Sequence, residues 1–179
     1  MNKKYKLVEK KFFPEINKEL WRIEALCDFG SIKKGERGGW IERESNLDNE
    51  TDVDAWVYGD ARVCGDAEVY GDAWVYGDAE VCGDAEVYGN ARVCGDAKVY
   101  RDAEILVLGK LGYSRRFITA TWSKDNCLKV RAGCFFGTID DFQKAVIEKY
   151  GDGESDYMLI IPLLRKKEKE WSESHKEKE

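Results

Sequence analysis

From Ala55 the chain repeats itself every six residues, reading AWVYGD, ARVCGD, AEVYGD, AWVYGD, AEVCGD, AEVYGN, ARVCGD and AKVYRD before a degraded AEILVL. A period of six fits neither a helix, which repeats every 3.6 residues, nor a plain strand, which alternates every two. Within each unit Ala and Val stand two apart, so they share one side of a short strand. The residue between them and the Tyr or Cys after Val take the other side. Gly-Asp then supplies a corner: Gly accepts positive φ, and Asp can bond nearby backbone. A short strand and a corner, repeated, make a coil with Ala and Val inside, which is a parallel β-helix.

The residues also suggest how many units close one turn. At an offset of eighteen, Trp56 falls on Trp74, Cys64 on Cys82, Tyr58 on Tyr76 and Tyr70 on Tyr88. Arg62, Glu80 and Lys98 then form a column of alternating charge, and Trp56, Trp74 and Arg92 an aromatic column ended by a cation. Stacked strands favour such identical or complementary neighbours. A twelve-residue shift also matches some positions. The core of such a coil is thin, with each buried Val worth roughly 1.5–3 kcal/mol. Its two ends are open sheet edges, so the flanking segments are expected to cover them.

The repeat resembles the hexapeptide-repeat, left-handed β-helix family, with Val57, Val63, Val69, Val75, Val81, Val87, Val93 and Val99 at the aliphatic position and Ala two places earlier. That resemblance implies three hexads per triangular coil. The family often places Gly directly after the aliphatic residue, whereas Tyr or Cys stands there in this chain. Upstream, the run from Arg22 to Glu42 (RIEALCDFGSIKKGERGGWIE) is similar to the leader of a group of uncharacterised bacteriophage and prophage β-helix proteins. This second resemblance covers roughly residues 20–105 and carries almost no biochemical information.

Four segments follow: an N-terminal cap with irregular first coils (1–50), the hexapeptide-repeat β-helix (51–108), an α+β cap or dimerisation unit (109–164) and a charged tail (165–179). Trp21, Ile23, Leu26, Phe29, Trp40 and Ile41 are the expected packing residues of the first segment. In the third, Arg116 to Ser123 and Cys127 to Phe136 read as strands around a Lys124-Asp125-Asn126 turn. Thr138 is a helix N-cap, with Asp140 and Asp141 in the first turn and Gly151 just past the end. Tyr157 to Leu164 is a further strand or short helix. The expected class is therefore mainly β, a parallel and by resemblance left-handed β-helix with a small α+β C-terminal unit.

Composition narrows the chemistry. The chain has one histidine, His175, and it falls in the charged tail. The acyltransferases common in the hexapeptide family use a histidine base, so an acyltransferase-like role is the weaker alternative. No catalytic residue, metal site or cofactor is expected. A cysteine nucleophile would lack a base, and Cys64 over Cys82 supplies too few ligands for zinc. Six cysteines without an apolar leader are expected to be free thiols in a cytoplasmic protein. The longest apolar run, Met158 to Leu164, is too short to span a membrane.

Charge gives the positive signal. Residues 51–104 hold 4 Lys+Arg against 13 Asp+Glu, although the whole chain carries only −6. Three coils span roughly 14 Å, so the local −9 amounts to one charge per ~1.6 Å, close to the ~1.7 Å of duplex DNA. At the corners Asp60, Asp78 and Asp96 form one column, Asp66, Asp84 and Asp102 a second, and Asp72 with Asn90 a third. Bonding turn backbone is their expected main task. Glu68, Glu86 and Glu104 form a like-charged column on a flat side, where a purely structural design would mix signs.

These acids, with Trp56 and Trp74, are the expected partner-binding residues. The expected partner is a protein, and direct binding of nucleic acid is disfavoured. The phage-type resemblance sharpens this to an inhibitor of a host nuclease or CRISPR-type effector, with the acidic coil mimicking DNA. A plain structural scaffold is a further alternative. The aromatic columns Trp56/Trp74 and Tyr70/Tyr88 could equally join copies of the chain into a dimer or trimer.

Overall fold

The computed structural model describes residues 3–100, 105–111, 116–151 and 155–176. The chain divides into two compact units, Met1–Ala103 and Glu104–Glu179.

In the first unit every hexad contributes one two-residue strand. These are β4 (Trp56–Val57), β5 (Arg62–Val63), β6 (Glu68–Val69), β7 (Trp74–Val75), β8 (Glu80–Val81), β9 (Glu86–Val87), β10 (Arg92–Val93) and β11 (Lys98–Val99). They pair in parallel as three sheets, β4-β7-β10, β5-β8-β11 and β6-β9. Trp56 faces Trp74, Arg62 faces Glu80, and Glu68 faces Glu86, each eighteen residues on. Three hexads therefore close one coil, and the twelve-residue alternative is excluded. The result is a β-solenoid of about three turns. The alanines and valines of all eight units are fully buried. Gly59 through Gly95 hold φ between +61° and +77° at the corners, a region that favours glycine.

The hexad phase begins before the recognisable repeat. Ile41 pairs with Val63 and Leu47 with Val69, so these two residues, six apart, already occupy the aliphatic position. The chain then inserts extra residues around Asp48–Asp54 before Val57 resumes the pattern.

The Ala and Val carbonyls of the first coil need donors, because in later coils these carbonyls accept N–H groups from the coil before. The N-terminal segment supplies them. Trp40 and Glu42 of β3 (Arg37–Ile41) and its continuation donate backbone N–H to Ala61 and Val63. Asn46 Nδ2, buried, donates to the carbonyls of Gly65 and Ala67 at 3.0 and 2.8 Å. Lys4 Nζ donates to Val53 and Ala55 at 3.3 and 3.1 Å, and burial lowers its pKa. An antiparallel hairpin of β1 (Tyr5–Phe13) and β2 (Lys18–Ala25) extends the β5-β8-β11 sheet through β3. The sequence does not announce this hairpin, because β1, with lysines at 6, 10 and 11, has no alternating pattern.

The second unit is a four-stranded antiparallel sheet with two helices. Its strands β12 (Ile105–Leu111), β13 (Arg116–Trp122), β14 (Leu128–Ala132) and β15 (Phe135–Thr138) lie in chain order. Thr138 caps α1 (Ile139–Tyr150), its hydroxyl accepting from the Asp141 N–H as expected. Two details differ from expectation. Ile105 to Leu108, the described part of the degraded AEILVL hexad, belong to β12 and pair antiparallel with β13. The strand expected over Cys127–Phe136 is two strands, broken where Gly133 takes φ +64°. Of the two alternatives for Tyr157 to Leu164 the helix holds: it is the start of α2 (Asp156–Lys176), which runs on through the charged stretch. Tyr157, Ile161, Leu164 and Trp171 recur at helical spacing and are buried, which explains the length. Among the described residues no helix is long and apolar enough to cross a membrane.

Candidate functional site: an acidic and aromatic sheet face

The β6-β9 sheet brings Glu68 and Glu86 side by side in register, both exposed. The tyrosines that follow them by two residues, Tyr70 and Tyr88, stack with ring centroids 5.3 Å apart and planes 11° from parallel. Tyr70 Oη donates to Glu86 Oε2 at 2.8 Å. Burial, and then this bond to a carboxylate, push the Tyr70 phenol up to about 12. Beside Glu68 and Tyr70 a shallow cleft of about 550 Å³ opens, lined also by Glu44, Leu47 and Asp48. Glu104, expected as the third member of the column, lies outside the described residues, as does Asp102.

The N-terminal segment thus carries the acidic face beyond the repeat. Its near-neutral total concealed Glu44 and Asp48, and the signal that could have found them is the hexad phase of Leu47. Lys3 Nζ already sits on Glu44, 2.7 and 2.8 Å from its two oxygens.

The described corner aspartates lie at the surface, and for Asp60, Asp66, Asp78 and Asp84 no bond to turn backbone is seen among the described residues. Asp60 and Asp66 face Arg22 at 3.9 Å and Arg43 at 3.4 Å. Asp72 accepts from the Asp54 N–H at 3.4 Å. The Asp78 and Asp84 carboxylates are exposed, with no bond to turn backbone among the described residues. Asp96 is partly exposed. Positive φ at glycine already makes the corner, so the carboxylate is not needed to hold it.

Trp56 is not a surface residue. It is fully buried beneath Tyr5 and Phe29, whose rings lie 6.3 and 5.2 Å away. A first-coil residue must be covered by the cap, and a tryptophan offers the most apolar area for that purpose. Trp74, one coil on, is half-buried under the Arg92 guanidinium at 5.0 Å. The Arg62–Glu80–Lys98 column forms as expected, but Glu80 is buried and accepts from Tyr100 Oη at 2.6 Å.

The expectation of free thiols fails for one pair. Cys64 and Cys82 form a disulfide, with Cα atoms 4.6 Å apart. Register places the two residues one strand spacing apart, and the pair is buried with Phe13, Leu20 and Trp40. Cys27, Cys94, Cys127 and Cys134 are not in a disulfide. Disulfides are rare in reducing compartments, so the cysteines no longer argue for the cytoplasm. His175 lies on α2, its ring stacked on Trp122 at 5.0 Å, and its Nδ1 is 2.8 Å from the Trp171 carbonyl. Among the described residues no group of three or more His, Cys, Asp or Glu could hold a metal ion.

Fold and face together define a repeat-built β-solenoid with one acidic, aromatic side. Comparison with protein-family models and with curated proteins finds no match.

Proposed function

We propose that this protein is a non-enzymatic interaction protein whose acidic solenoid surface occupies a nucleic-acid-binding groove on a protein partner. In its sharpest form the partner is a host nuclease or CRISPR-type effector, and the protein is a phage-type inhibitor of it. The observation that carries the reading is the contrast between two columns of the same coil. The β5-β8-β11 side alternates Arg62, Glu80 and Lys98, as stability alone would favour. The β6-β9 side places Glu68 against Glu86 in the open. A cost accepted on an exposed face, within a segment of 4 bases and 13 acids, supports a partner of opposite charge. The same field disfavours direct binding of nucleic acid. A cytoplasmic location follows from this reading rather than from the cysteines.

The test is affinity capture from a bacterial lysate. The expected outcome is recovery of a nucleic-acid-binding protein that duplex DNA or high salt releases. Glu68→Lys with Glu86→Lys is expected to abolish that recovery; unchanged binding would overturn the acidic-surface mechanism. Self-association through Tyr70 and Tyr88 is the competing use of the face, and sedimentation of the purified chain separates the two.

A further inference from the structure

The first unit shows how it covers its own aromatic rings. Arg92 lies over Trp74, one coil below it in the same column, at 5.0 Å. Arg62 lies over Phe13 at 4.5 Å, and Arg22 over Trp40 at 5.1 Å. In these three cases a planar guanidinium covers a ring face at 4.5–5.1 Å, and for Arg92 a backbone carbonyl, that of Asp72 at 2.7 Å, fixes its position; the ammonium groups of Lys4, Lys10, Lys11 and Lys98 also lie over rings, at 5.0–5.9 Å.

The tyrosine column has one ring without such a cover. Tyr88 stacks on Tyr70, its only ring partner among the described residues. At 56% exposure it is the most exposed of the large apolar side chains described in this unit. It stands on the face that carries Glu68 and Glu86, two residues from the latter.

We infer that the exposed ring of Tyr88, with the carboxylate of Glu86 beside it, is a site for an arginine side chain of the partner protein. The ring face attracts the guanidinium plane, and the carboxylate accepts from its N–H fork. A lysine ammonium meets the charge but cannot match the plane or the fork. This inference rests on the proposed acidic-surface function and adds to it a specific contact and a preference for arginine. A groove that grips a nucleic-acid backbone is lined with arginine and lysine, and the site selects the former.

The test uses the purified full chain and three labelled probes: an oligoarginine peptide and its oligolysine and oligocitrulline counterparts. Oligoarginine is expected to bind more tightly than oligolysine, and oligocitrulline not at all. Tyr88→Ala is expected to weaken oligoarginine roughly ten-fold and erase the preference over lysine, while Tyr88→Phe retains both. Glu86→Gln is expected to weaken arginine binding as well. Circular dichroism checks that each variant keeps its fold, which the exposure of Tyr88 favours. If Tyr88→Ala changes nothing while Asp66→Asn, Asp78→Asn and Asp84→Asn weaken both cationic peptides, the arginine site is overturned and the acidic surface stands. If the unaltered protein binds neither cationic peptide, both readings fall.

Discussion

Cys82 lies over Cys64 in the next coil, and a disulfide joins the two across the β5-β8 pairing. The bond staples the first complete coil to the second under the N-terminal hairpin. Closing a loop of eighteen residues removes freedom mainly from the unfolded chain, worth about 3 kcal/mol. Denaturant melts of the oxidised protein and of Cys64→Ser/Cys82→Ser are expected to differ by about that amount. Thiol alkylation with mass spectrometry checks the oxidation state. Equal midpoints would show that the staple adds nothing.

Asn46 closes the edge of the β6-β9 sheet. Its amide donates to Gly65 and Ala67, and its Oδ1 accepts from the Arg43 N–H at 2.9 Å. Asn46→Ala leaves three main-chain groups without that partner, two of them carbonyls of the first coil. The expected loss is about 2–3 kcal/mol by chemical denaturation.

Two corner glycines separate conformational strain from collision. Gly83 has φ +69°, and a Cβ there would collide with the Tyr100 carbonyl oxygen. Gly89 has φ +61° with open space around it. Gly89→Ala is expected to cost about 1–2 kcal/mol, the left-handed penalty alone. Gly83→Ala is expected to cost clearly more, because the coils above and below the corner must part. Similar losses at both sites would mean that the coils yield easily there.

Tyr70 gives the candidate face a spectroscopic handle. Its phenol titrates near 12, with burial the first cause and the Glu86 bond the second. Because the folded value exceeds the unfolded value of 10.0, the neutral phenol favours the fold below pH 10, and that contribution is lost as pH rises from 10 towards 12. An absorbance titration of the phenolates is expected to show Tyr70 delayed to about 12, with the buried Tyr5 delayed further. Glu86→Gln is expected to bring Tyr70 down only part of the way, since burial remains. A titration unaffected by Glu86→Gln would remove the bond from the account.

What the sequence disclosed divides along physical lines. The coil was readable because Val at every sixth position and Gly two places later are local requirements of a short strand and its corner. Register was readable because Trp56 on Trp74 and Glu68 on Glu86 are nearest-neighbour effects between identical units. The fate of outward residues was not readable. Trp56, Glu80, Cys64 and Cys82 occupy outward positions of the hexad, yet all four are buried. The hairpin that covers Cys64 and Cys82 lies some fifty residues upstream and has no periodicity of its own. The second unit was half legible: Thr138 announced α1 through its cap, but Gly133 split a strand that composition alone left whole.

The direction of the hydrogen bonds has one more consequence. The Ala and Val carbonyls of each coil accept from the coil before, and at the start they are closed by Asn46, Lys4 and the backbone of Trp40 and Glu42. All of these closing groups precede the repeat in the chain. During synthesis the lid is therefore made before the stack, and every new coil emerges next to a finished row of donors. Such a molecule can be built like a masonry course, each layer laid on a completed one, with no wait for a distant C-terminal strand to return.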